Sequence, residues 1–159
     1  MRKRSLLMVV MGVVAGSLFL AMGLYAAADA PDTIKMDSPE YEKHKKGIVE
    51  FSHTKHMDDY KIGCGECHHD KDGKPLENLK KGDDVQKCID CHKIPGEISK
   101  DEKTAIKDLS KDEQKLKKLE YHAEALHYNC KDCHRAYNKA NKTKAAPTSC
   151  AKCHPKKEK

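Results

Sequence analysis

Tryptophan is absent from the 159 residues, phenylalanine occurs only twice, and aromatic residues make up 5% of the chain. After residue 28 the large apolar residues never form a long run. A chain of this kind is poorly equipped to offset its conformational entropy, about 1–2 kcal/mol per residue, by burying side chains alone. Something other than side chains must supply the core. Also missing are a glycine-rich phosphate loop, a dinucleotide-binding fingerprint and any nucleophile-and-base constellation, which removes the common nucleotide-dependent and hydrolytic classes.

The N-terminus is of another character. Arg2, Lys3 and Arg4 precede an uncharged run of 23 residues from Leu6 to Ala28. Ala26-Ala27-Ala28 places small residues at the −3 and −1 positions of a signal-peptidase site. A cut after Ala30 also satisfies the small-residue rule but leaves Pro31 at the new terminus. Residues 1–28 are therefore expected to be a signal peptide and 29–159 the mature domain. The alternative is an uncleaved anchor, because a bilayer span needs about 20 apolar residues.

Eight cysteines in an exported chain would ordinarily imply four disulfides. Their spacing argues otherwise. They occur as four pairs, each followed at once by histidine: Cys64-Gly-Glu-Cys67-His68, Cys88-Ile-Asp-Cys91-His92, Cys130-Lys-Asp-Cys133-His134 and Cys150-Ala-Lys-Cys153-His154. This is the haem-attachment pattern. Two thiols three positions apart can each form a thioether with one vinyl group of a haem, and the next residue aims its imidazole at the iron. Zinc sites also use C-x-x-C pairs but have no need of histidine directly after the second cysteine. Thioredoxin-like redox chemistry would require a βαβ frame that no pair has. The sequence thus predicts four covalently bound c-type haems, with His68, His92, His134 and His154 as proximal ligands. With roughly 33 mature residues for each haem, folding is expected to depend on the cofactors.

Six further histidines compete for the second axial position: His44, His53, His56, His69, His122 and His127. Outside the export segment only Met36 and Met57 could offer a thioether. Histidine is the natural second ligand, and without methionine the potentials should be low.

Phe51-Ser-His53-Thr-Lys-His56, followed by Cys64-Gly-Glu-Cys67-His68-His69, resembles the opening of the tetrahaem cytochrome c3 family. The resemblance extends over most of Ile48 to Lys156. It implies that His53 closes haem 1, His69 haem 2 and His56 haem 3. Haem 4 would take His122 or His127. Ser110-Lys-Asp-Glu113 reads as a capping box that opens a helix at Lys111. Continued at 3.6 residues per turn, that helix carries Leu116, Leu119, Ala123 and Leu126 in one stripe. His127 then falls about 20° from Leu116 and His122 about 120° away. The helical phase therefore favours His127, and His44 and His122 read as surface histidines. The type II, or acidic, members of the family likewise place this ligand three residues before the third motif. Four uniform C-x-x-C-H sites also match that branch; the better-known branch often uses C-x-x-x-x-C-H at haems 2 and 4.

The implied fold is a small, mostly α and irregular multihaem cytochrome with a short N-terminal β-hairpin, few helices and four haems as its core. Thr33 to Met36 and Ile48 to Phe51 have strand-like alternation. Residues 70–84 read as a surface loop, and residues 100–129 as mostly helical with a charged outer face.

The chain carries +6, and removing Arg2, Lys3 and Arg4 leaves about +3. Eight propionates and four ferric porphyrins then bring the oxidised holoprotein to about −1. Basic composition is thus no argument for nucleic acid. The expected function is that of an electron carrier rather than an enzyme, with no small-molecule substrate, located in the periplasm. The resemblance implies partners such as hydrogenase, formate dehydrogenase or a membrane-bound redox complex in anaerobic respiration. Two alternatives are a membrane-anchored quinol dehydrogenase and a small multihaem reductase with one open iron.

Overall fold

The computed structural model describes residues 30–156. Regular structure begins with β1 (Thr33–Lys35) and β2 (Glu50–Ser52), an antiparallel pair in which Ile34 faces Phe51 and Lys35 faces Glu50. Outlying bonds extend the ladder, from Met36 N to Val49 O at 2.9 Å and from His53 N to Asp32 O at 2.8 Å. The predicted hairpin is present. It delivers the chain into a single wide helical turn, Lys55–Asp59, that carries His56.

Each C-x-x-C-H motif is wound into or against one helical turn. These are the 3₁₀ turn Cys64–Glu66, α1 (Cys88–Cys91), the wide turn Tyr128–Asp132 running into Cys133, and a short helix Cys150–Cys153. A helical turn places positions i and i+3 on one face, so the two thiols of a motif share a side. In three of the motifs the histidine amide closes the turn on the first cysteine's carbonyl, with His68, His92 and His154 donating at 2.9, 2.9 and 2.8 Å.

Between the second and third motifs lie α2 (Lys100–Ala105), α3 (Lys111–Leu119) and α4 (His122–His127); α5 (Cys133–Ala140) follows the third motif and α6 is the helix Cys150–Cys153. Both α2 and α3 open with reciprocal capping boxes, Ser99 with Glu102 and Ser110 with Glu113, the second as the sequence predicts. Residues 70–84 form no helix or strand, in keeping with the predicted loop.

The helix expected to run on from Lys111 breaks at Tyr121, whose backbone is extended. The cause is pairing with an upstream segment. Ile94 N donates to Glu120 O at 3.1 Å, His122 N to Ile94 O at 2.8 Å, and Ala123 N to Gly96 O at 3.1 Å. These bonds replace those of a continuous helix. Gly96 takes a φ of +93°, a left-handed conformation that glycine tolerates and other residues resist. The Tyr121 phenol also bonds the Glu102 carboxylate, which pushes its pKa up to about 12. The break ends the continuous stripe, and Leu116 is 66% exposed.

Among the described residues the buried apolar side chains are Ile89, Ile98 and Ala125, where α1 meets α4 and the 94–98 strap. The core is as thin as the composition foretold. No helix among the described residues is long and apolar enough to cross a membrane, and the expected signal peptide lies outside them.

Candidate functional site

None of the eight cysteines is joined in a disulfide. Among the described residues no group of three or more His, Cys, Asp or Glu side chains is arranged to hold a metal by itself. The motifs nevertheless converge. Cys67 lies near Cys133, and Cys130 near both Cys67 and Cys88. Asn129 Nδ2 donates to Cys67 O at 3.1 Å and fastens the third motif to the first.

The histidines fall into four pairs. Ring centroids are 6.3 Å apart for His53 and His68, 6.0 Å for His69 and His92, 6.2 Å for His56 and His134, and 6.3 Å for His127 and His154. Each pair joins one motif histidine to one histidine from elsewhere. Three pairs are near-perpendicular, at 79°, 70° and 84°, and the His56–His134 pair is inclined at 21°. The spacing has a simple meaning. Two metal–nitrogen bonds of about 2 Å, with about 1 Å of imidazole at each end, separate centroids by about 6 Å. The spacing within each pair is that which two rings sharing one metal ion would have.

Their outer nitrogens are engaged as ligand rings require. Nδ1 of His53 lies 3.2 Å from Pro31 O, that of His56 2.8 Å from Ser52 O, and that of His69 2.7 Å from Asp70 O. His92 bonds Leu119 O, His134 Nδ1 lies 2.7 Å from Pro147 O, and His154 Nδ1 lies 2.9 Å from Gly47 O. A carbonyl only accepts, so in all six the proton sits on Nδ1 and donates. That tautomer leaves the Nε2 lone pair for a metal and fixes the plane of the ring. His127 differs, for its Nδ1 lies 3.4 Å from the Glu97 carboxylate. Burial, and then His53 and His69, hold His68 below its usual pKa, which favours the neutral ring a ligand needs.

Local structure explains these placements. Phe51, in the middle of β2, lies 5.8 Å from the His53 ring and 4.7 Å from the His56 ring, between two histidines that face different motifs. Adjacent His68 and His69 diverge to separate partners, as neighbours in a chain do. At Gly47 a β-carbon would lie 2.2 Å from Pro155 O, so only glycine lets this strand of backbone reach His154.

The two remaining histidines are not the solvated residues expected. His122 is 7% exposed, with Nδ1 3.0 Å from the Tyr41 hydroxyl. Desolvation, and then nearby His92, hold its pKa below the ordinary value. His44 is half-buried and stacks on Tyr41, centroids 5.0 Å apart and planes within 7°. Helical phase predicts the reverse burial, but the chain break at Tyr121 rotates α4, and His127 keeps 42% of its side chain exposed. What brings His127 to the site is its pairing with His154.

Four attachment motifs with paired histidines, on a small and mostly irregular frame, define a multihaem c-type cytochrome. The chain belongs to the class III cytochrome c family, which it matches over residues 31–154. No curated protein and no solved structure matches it. Its eight cysteines fit four attachment sites, its cofactors are covalently bound c-type haems, and the family's work is multihaem electron transfer.

Proposed function

We propose that the protein is a periplasmic electron carrier with four bis-histidine haems of low potential. Cys64 and Cys67 attach haem 1, closed by His68 and His53. Cys88 and Cys91 attach haem 2, closed by His92 and His69. Cys130 and Cys133 attach haem 3, closed by His134 and His56. Cys150 and Cys153 attach haem 4, closed by His154 and His127. The observation that carries this reading is the set of four ring pairs, all between 6.0 and 6.3 Å, each uniting one motif histidine with one other. Bis-imidazole ligation without thioether ligands favours low potentials.

With both axial positions filled, no iron is left for a substrate, and the protein's role is to pass electrons. Residues 1–28 direct export and are removed, and four uniform motifs align the chain with the type II branch. Partners of hydrogenase, formate dehydrogenase or membrane redox-complex type follow from the family resemblance. The purified holoprotein should exceed the mature polypeptide by four haem masses after acid denaturation. All four haems should be low-spin and should not bind carbon monoxide when reduced. Haem extracted by acid, or carbon monoxide bound at one site, would sink this reading.

Lys131 and Lys152 lie inside the last two attachment motifs, and Lys142, Lys144, Lys156 and Lys157 flank them. Lys142, Lys144, Lys152 and Lys156 are exposed, Lys131 is half-buried, and Lys157 lies outside the described residues. A basic rim on a molecule of near-zero net charge orients encounter with an acidic redox partner. Changing Lys142, Lys144, Lys156 and Lys157 together to Gln should slow association and flatten its salt dependence, since exposed charges are screened beyond about 8 Å. An unchanged rate and slope would place docking elsewhere.

A further inference from the structure

Seven of the eight paired rings have an outer-nitrogen partner described above. Six partners are backbone carbonyls, and the seventh is the Glu97 carboxylate at His127. We propose that the charge of Glu97, set beside the His127 ring, lowers the reduction potential of the haem which His127 closes. The inference rests on the reading of His127 as an axial ligand.

At 3.4 Å the Glu97 carboxylate makes a charge contact with His127 Nδ1 and not a well-formed hydrogen bond. A fixed negative charge so placed favours the ferric iron and opposes the arrival of an electron. Backbone carbonyls have no net charge to exert. Glu97 therefore sets haem 4 apart from the haems whose rings face carbonyls.

The carboxylate is not on a freely swinging loop. Gly96 is bonded to Ala123 N, Ile94 to His122 N, and Ile98 is 5% exposed in the core. Glu97 thus sits on a strap anchored on both sides, and His127 sits on the helix to which that strap is bonded. Ring and carboxylate belong to one packed unit. Their side chains remain 42% and 56% exposed, so water screens part of the interaction and the expected effect is moderate.

The test is a dithionite titration of the holoprotein, resolved haem by haem through the paramagnetically shifted haem methyl resonances. His127→Met marks haem 4, since only that haem should change its spectrum. In Glu97→Gln the same haem should become about tenfold easier to reduce, or 59 mV for one electron. Its low-spin bis-histidine spectrum should persist, and the other three potentials should hold. Glu97→Asp, which keeps the charge but withdraws it by one methylene, should give a smaller shift. Glu124→Gln, a neighbouring carboxylate paired with Lys103 at 3.4 Å, should leave haem 4 almost unmoved. The proposal is overturned by an unshifted haem 4 in Glu97→Gln, by equal shifts at all four haems, or by an equal shift in Glu124→Gln. Unchanged spectra in His127→Met would remove the ligand assignment itself, and the proposal with it.

Discussion

Prepared without haem attachment, through Cys→Ser changes in all four motifs, the chain should have no cooperative tertiary fold. Its buried apolar side chains among the described residues are two isoleucines and one alanine, and full burial of an isoleucine contributes only about 2 kcal/mol. The longest helix among the described residues, α3, has nine residues, and isolated helices shorter than about 12–15 residues are marginal in water. Circular dichroism should show slight residual helicity, and amide exchange should show no protected core. The holoprotein should melt cooperatively and protect the amides of β2 and α4. A sharp unfolding transition in the haem-free chain would mean that side chains suffice, contrary to both composition and burial.

The second large effect separates two histidines five positions apart. His127→Ala should convert one haem of four from low-spin to high-spin and let it bind carbon monoxide when reduced, because its ring pairs with His154 at 6.3 Å. His122→Ala should leave four low-spin haems. It should instead cost about 1–3 kcal/mol of stability, because the Tyr41 hydroxyl loses a buried partner. The pH dependence has a definite sign. Burial holds the folded pKa of His122 below its unfolded value of about 6.5. Its contribution is therefore complete above that value and declines as the pH falls through the folded pKa. Spin state read by electron paramagnetic resonance, with denaturant midpoints at two pH values, checks both halves. A high-spin signal in the His122 variant would reverse the assignment.

Some of this was legible from the chain alone. The motifs, the hairpin, the capping box at Ser110 and the loop at 70–84 are local, and local chemistry writes them into adjacent residues. The adjacency of His68 and His69 announced two partners for the same reason. The burial of His122 was not legible. A periodic reading treats residues 111–127 as one rod, whereas the 94–98 strap captures the backbone at 120–123 and divides it. Gly96 was the only hint, and a glycine after a proline looks like any turn. The carbonyl partners of the rings were equally hidden, since every residue has a carbonyl and only folding chooses among them. Nothing in the sequence around Tyr41 marks it as the cover of His122.

The contact between His154 and Gly47 joins positions 107 residues apart. Haem attachment, by contrast, is confined to five consecutive residues. Cofactor capture and cofactor alignment are therefore separate events in the biogenesis of the protein. A ligation apparatus can read each short motif on a chain that is still extended, one motif at a time. The last ring can be aimed only when the first part of the chain has come back to meet it, and contacts of such long range form late. The intermediate is a chain that is fully coloured but not yet wired. In such a chain four haems would be bonded and visible in absorbance, while the His154 ring would still lack the Gly47 carbonyl that fixes its plane. Spectral intensity would then report attachment, and a fixed set of potentials would report the completed circuit.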